Sequence, residues 1–212
     1  MKRGVFITIE GGEGAGKSTL IARLTESLSA RGISPLLTRE PGGTPLGEEV
    51  RKLLLHSQQT LGPRAELALF LASRAQQVES RIRPALAEGR WVLSDRFNDS
   101  TIVYQGFARS LGIKEVAFLC TFFAGALEPD LTLYLDIDPE LGKKRMAGRQ
   151  MRDRIEAEEM AFHYKIREGY LLLCRENPER IHSLDASVSE EELCERAMEV
   201  IGGKFCNSSK TL

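Results

Sequence analysis

The stretch Gly11-Gly12-Glu13-Gly14-Ala15-Gly16-Lys17-Ser18-Thr19 decides how this chain is read. The apolar run Val5 to Ile9 comes directly before it. After it, Ser18 to Arg31 places Leu20, Ile21, Leu24 and Leu28 on one helical face, with Gly32 where a C-cap glycine belongs. A glycine-rich turn between a buried strand and a helix can point backbone N–H groups inward around an anion, and the helix adds its positive end. The spacing from Gly11 to Gly16-Lys17-Ser18 fits G-x-x-x-x-G-K-[ST]. In that pattern Lys17 reaches the outer phosphates and the Ser18 hydroxyl ligates Mg²⁺. The stretch therefore predicts a site for a nucleoside triphosphate.

Working outward, apolar and amphipathic segments alternate. Short strands are expected at Ser34 to Thr38, Trp91 to Ser94, Leu131 to Ile137 and Ile181 to Leu184. Helical patterns cover Leu46 to Leu55, Arg64 to Glu88 with Pro84 as a kink or a new start, and Lys114 to Ala126. Further helices are expected over Leu141 to Ala147, Ala157 to Glu176 and Ser189 to Ile201, the last with a Ser-x-x-Glu capping box. This alternation predicts an α/β fold of three layers, a parallel sheet with helices on both faces. One domain over 1–205 is expected, with a lid at about 145–156 and a loosely ordered tail from Gly202, flexible over 206–212.

Size and composition agree with one globular domain. The chain has 212 residues, 42% apolar and 28% charged, which is ordinary for such a domain. A net charge of −1 argues against a protein that coats nucleic acid. The four cysteines form no C-x-x-C pair and no zinc spacing. Neither a signal-like leader nor a run of membrane-spanning length is evident. A reducing cytoplasm is the expected setting.

Ligands of such sheets gather beyond the carboxyl ends of the strands. The loop Arg39-Glu40-Pro41-Gly42-Gly43-Thr44 and the pair Asp95-Arg96 both follow strands, so both should share the crevice of the phosphate cradle. There Asp95 is placed to hold hydrated Mg²⁺, and Arg96 offers a bidentate fork for phosphate. Helical spacing sets Phe70 and Arg74 on one margin of the Leu67/Leu71/Val78/Ile82 stripe. Two readings follow. Either the ring and guanidinium hold a planar heterocycle between them, or Phe70 joins the core and Arg74 snorkels to solvent. The segment Gly148 to Arg154 carries Arg149, Arg152 and Arg154, suited to a lid that closes over transferring phosphates.

Together these segments resemble thymidylate kinases of the bacterial type, a P-loop nucleoside-monophosphate kinase family. The resemblance rests on Gly11-to-Thr19, Thr38-to-Thr44, Phe70 with Ser73-Arg74-Ala75-Gln76, and Asp95-Arg96-Phe97-x-x-Ser100-Thr101 with Tyr104-Gln105-Gly106. Pro129-to-Asp136 and Asp153-Arg154-Ile155-Glu156 complete it. It implies transfer of the γ-phosphoryl group of ATP to dTMP in dTTP synthesis, with Mg²⁺. Phe70 would stack on thymine and Arg74 bond the base, Arg96 would grip the acceptor phosphate, and Arg39 would shape that pocket. Thr101 and Gln105 would lie along the base, Tyr104 against the deoxyribose, and Glu13 near the acceptor sugar and phosphate. Gly14 follows Glu13 where eukaryotic-type members carry a basic residue, so the catalytic arginine is assigned to the lid. Arg149 matches that position, with Arg152 a second candidate. Phe97 stands where tyrosine or histidine is common. The family is usually a homodimer, and the apolar run Val116 to Phe123 offers either an interface or core packing.

Two rival readings differ in chemistry. A deoxynucleoside kinase would act on a neutral hydroxyl and benefit from a carboxylate base such as Glu13, Glu40 or Asp95. A P-loop switch would need a hydrolysis-poised water and a partner face. The arginines at 39, 74 and 96 suit an anionic acceptor better than either.

Overall fold

A computed structural model describes residues 3–56, 60–147 and 154–205. The expected lid residues 148–153 and the tail 206–212 lie outside the described residues. Among the described residues five parallel strands form one sheet in the order β2-β3-β1-β4-β5. They are β1 (Phe6–Gly11), β2 (Leu36–Arg39), β3 (Val92–Asp95), β4 (Leu131–Asp136) and β5 (Ile181–Asp185). β1 lies at the centre, with Ile7 opposite both Leu93 and Leu131, and every residue of it is buried. A strand covered on both faces reads as a continuous apolar run, which is why Val5 to Ile9 is legible as one.

Strand alternation divides the core into two layers. Ile7, Ile9, Leu131, Leu133 and Leu135 face α1 (Lys17–Ser29) and α9 (Glu190–Phe205), packing with Leu20, Leu24, Leu28, Leu193 and Ile201. The opposite face is more polar near the centre. Thr8 and Thr132 share a 2.8 Å hydroxyl contact, and Tyr134 stacks on Tyr170 of α8 (Met160–Glu176) at 4.7 Å between ring centroids. Glu10 lies on this second face, fully buried.

Three boundaries differ from the sequence expectation or refine it. The pattern over Arg64 to Glu88 resolves into α3 (Pro63–Gln77), a π-helical turn Val78–Ile82, and α4 (Arg83–Ala87), with Pro84 at the start of α4, directly after the π-helical turn. Residues after Asp95-Arg96 form α5 (Asn98–Thr101), continued as a π-helical segment Ile102–Ala108 that the sequence reading did not assign. The tail expected from Gly202 is instead helical to Phe205, where the phenyl ring meets Trp91 edge-on at 5.5 Å. Other helices are α2 (Pro45–His56), α6 (Ile113–Phe123) and α7 (Pro139–Arg145). Ser189 caps α9, its Oγ accepting from the Glu192 N–H at 3.2 Å as the capping box requires. Among the described residues no helix is long and apolar enough to cross a membrane.

Candidate active site

The turn after β1 sits at the carboxyl edge of the sheet. Gly14 and Gly16 both have positive φ, at +72° and +89°, and a Cβ on Gly14 would collide with the backbone of Gly142. Only glycine fits such a turn cheaply. Lys17 opens α1 and curls back over the loop, Nζ donating to Gly11 O at 3.1 Å and Gly12 O at 2.8 Å. Burial depresses its pKa, as does the nearby Arg96.

Arg96 follows β3 in a left-handed backbone conformation, φ +72°, an uncommon state for a non-glycine residue. The N–H of Arg96 donates to Ile9 O at 3.0 Å, and Ser94 Oγ donates to Arg96 O at 2.7 Å. The guanidinium then lies under the phosphate loop. Nη1 donates to Gly11 O at 3.0 Å and to Ser100 Oγ at 3.2 Å, and Nη2 to Glu13 Oε1 at 2.5 Å. Its carbon sits 5.1 Å from the centre of the Tyr104 ring, and the Tyr104 hydroxyl donates to Glu13 Oε1 at 3.3 Å. Burial alone would raise the Glu13 pKa, but Arg96 and Lys17 outweigh it and hold the carboxylate low.

One cavity of about 280 Å³ joins these groups. Glu13, Gly14, Gly16, Lys17, Ser18 and Thr19 form its phosphate-loop end, and Arg39, Phe70, Arg74, Thr101, Tyr104 and Gln105 its other walls, with Asp95 and Arg96 between. Gly11 contributes its carbonyl to both Lys17 and Arg96, Gly12 lines an adjoining smaller cavity, and Ala15 is fully buried beneath the turn. The residues predicted from separate strand ends thus meet in one place. Arg149 and Arg152 lie outside the described residues. Arg154, the third arginine of that segment, pairs with buried Glu66 and donates to Leu54 O at 3.0 Å, anchoring the end of the segment.

Arg74 departs from the reading in which it snorkels. Only 1% of it is exposed. Nε and Nη2 donate to Glu40 Oε2 at 2.8 and 2.5 Å, and Nη2 also reaches Phe97 O and Thr101 Oγ1. Burial works against the charge of Arg74 and Glu40 restores it. On the same face of α3, Gln77 Nε2 donates to Arg39 O and Gly42 O, both at 2.8 Å, so this helix fixes the 39–44 loop. Arg39 itself is half exposed, with Nη2 on Glu48 Oε2 at 3.0 Å.

Some wall residues escaped the sequence reading. Arg51 and Leu55 line the cavity from α2, with Arg51 Nη1 donating to Pro41 O at 3.0 Å. They are four apart on a helix that starts straight after the Pro-Gly-Gly loop, and that spacing was the available signal.

Residues 9–197 match the family model described as thymidylate kinase. The chain belongs to the thymidylate kinase family. Among relatives named thymidylate kinase, the protein of Protochlamydia amoebophila is 44% identical, over 97% of this chain and 96% of its own. That of Alkalilimnicola ehrlichii is 49% identical, over 88% and 87%. The crystal structure of thymidylate kinase from Ehrlichia chaffeensis superposes with a TM-score of 0.76 at 31% identity, over 94% of this chain and 98% of that one.

The chemistry of the donor set can be tested against the Mg²⁺ expected of a thymidylate kinase. Asp95 Oδ1 is buried without a hydrogen-bond partner, and the Ser18 side chain borders the same cavity. An unpartnered carboxylate oxygen is costly unless a ligand completes it, so these residues fit a hydrated divalent cation.

Proposed function

We propose that this chain transfers the γ-phosphoryl group of ATP to dTMP, yielding dTDP and ADP for dTTP synthesis, in the cytoplasm. The observation that carries this reading is the convergence of Lys17 Nζ and Arg96 Nη1 on one carbonyl, Gly11 O, at 3.1 and 3.0 Å. A lysine suited to the outer donor phosphates and an arginine suited to an acceptor phosphate thus stand side by side. Two anionic nucleotides fit head to head across them.

Each residue then has a task. The glycine-rich turn from Gly11 to Thr19 cradles the donor phosphates through backbone N–H groups. Lys17 and Arg96 gather positive charge around the transferring group, with Arg149 as the lid arginine. Ser18 and Asp95 would hold Mg²⁺, whose charge would further neutralise the donor phosphates. Glu13 and Tyr104 orient Arg96, and Tyr104 flanks the deoxyribose. Phe70 stacks on thymine, while Arg74, Thr101 and Gln105 border the base and Arg39 closes the pocket. No general base is needed, because a phosphomonoester's second pKa is about 6 and its oxygen is already an adequate nucleophile.

Exposed aromatics on α6 support a homodimer. Val116 and Cys120 face the core, whereas Phe118 and Phe122 are 70% and 68% exposed, with Phe123 beside them. Sedimentation of the wild type against Phe118→Glu checks this, with dissociation expected for the variant.

The enzymatic reading is tested by a screen across the nucleoside monophosphates with ATP and Mg²⁺, following ADP release. dTMP should stand well above the ribonucleotides. Equal rates with all acceptors, or ADP release without any, would remove the assignment.

A further inference from the structure

Glu10 stands behind Arg96, at the end of β1, and has no exposed surface. It holds the arginine from two directions. Oε1 accepts the N–H of Phe97 at 2.7 Å, fixing the peptide that follows the left-handed residue. Oε2 meets the hydroxyl of Ser100, which in turn accepts from Arg96 Nη1 at 3.2 Å. Tyr170 OH closes a triangle, 2.9 Å from Glu10 Oε2 and 2.8 Å from Ser100 Oγ.

Proton counting decides the charge of this triangle. Three oxygen–oxygen contacts require three hydrogens. Ser100 and Tyr170 contribute one each. With an ionised Glu10 one contact has lone pairs facing lone pairs at hydrogen-bond distance between buried oxygens. With a protonated Glu10 each oxygen donates once around the ring, and Ser100 keeps a lone pair for Arg96.

We propose, building on the phosphotransfer reading above, that Glu10 is a positioning residue that works as a neutral carboxylic acid. Its proton closes the ring with Ser100 and Tyr170 and seats the Arg96 guanidinium without quenching its charge.

Burial favours that state. Burial, then Asp99, raise the Glu10 pKa to about 7, against the opposing pull of Ser100, Arg96 and Tyr170. Asp99 comes from α5 and pairs with Arg180 at 2.6 Å. Lys17, Arg74 and Arg180 face Glu10 from the neighbouring elements and pull the other way, and Tyr104 also lies within its reach. Glu13 is the direct ion-pair partner of Arg96 among the described residues, at the mouth of the cavity where the acceptor phosphate would lie, and a neutral Glu10 adds no second negative charge behind it.

Glu10→Gln keeps the shape without the charge: its amide nitrogen donates to Ser100 and Tyr170, although it cannot accept from either. It should keep kcat and the dTMP KM within about threefold of wild type at neutral pH. Glu10→Ala, which leaves the Phe97 N–H and Ser100 adrift, should raise the dTMP KM by about 10- to 100-fold and leave the ATP KM nearly unmoved. The wild type should lose acceptor affinity as pH rises above about 7 and Glu10→Gln should not. If Glu10→Gln is as impaired as Glu10→Ala, Arg96 needs a counter-charge and the proposal fails. A second measurement needs no active variant: infrared difference spectra of the wild-type protein, below and above pH of about 7, should show a carboxylic acid carbonyl band that disappears and is missing from Glu10→Gln. Lack of that band overturns the proposal even if dTMP is the acceptor. An inactive wild type that shows the band would count against the phosphotransfer reading alone.

Discussion

Arg74 and Glu40 form an ion pair inside the protein, 2.5 Å apart at closest, with 1% and 3% of their side chains exposed. The pair ties α3 to the loop after β2, and Thr101 accepts from the same guanidinium at 2.8 Å. Arginine stays ionised in such a site, so the cost of breaking the pair falls on the partner that remains. Glu40→Gln should therefore destabilise the fold by about 3–5 kcal/mol in urea unfolding, with a parallel loss of dTMP binding. A variant as stable as wild type would show the pair to be dispensable.

Lys17→Ala removes a preorganised cation from the phosphate loop. The expected loss in kcat is about 10²- to 10³-fold, with a far-UV spectrum unchanged. Near-normal turnover by the purified, folded variant would contradict the role given to this loop.

Phe70→Ala separates acceptor from donor binding. Base-on-ring stacking is worth about 1–3 kcal/mol, so the dTMP dissociation constant should rise by about 5- to 150-fold. Calorimetric titration of each nucleotide checks this, since ATP binding should hardly change. A loss confined to ATP would place the base elsewhere.

Much of the site was readable from the chain because its parts are local. Each of Lys17, Arg39, Asp95 and Arg96 ends or follows a strand of the sheet, and parallel strands deliver their ends to one edge. What depends on distant partners was not readable. The helix from Asn98 begins with polar residues and carries β-branched Ile102 and Val103 and then Gly106, a poor helical pattern; burial against α6 and α8 organises it. Gly202 and Gly203 suggested a loose end, and only the contact between Phe205 and Trp91 shows why the helix continues. Glu10 follows the apolar run Val5 to Ile9 with no role legible in its neighbours; only Ser100 and Tyr170, far along the chain, give it one.

The same glutamate gives a stability prediction. Its folded pKa of about 7 exceeds the ordinary 4.5, so between those values the folded protein keeps a proton that the unfolded chain releases. Wild-type stability should fall relative to Glu10→Gln as pH rises through that window and then level off above about 7, by on the order of 3 kcal/mol at most. Denaturant midpoints of both proteins across the window test the sign. A constant gap between them would mean that Glu10 is ionised throughout.

The most direct test of the account compares dTMP with thymidine as acceptors in initial-rate assays with ATP and Mg²⁺, resolving the products. A cationic crevice built around Lys17 and Arg96 predicts dTDP as product and kcat/KM for dTMP at least about 10³-fold above that for thymidine. Comparable phosphorylation of thymidine would contradict the claim that this pocket receives a phosphate.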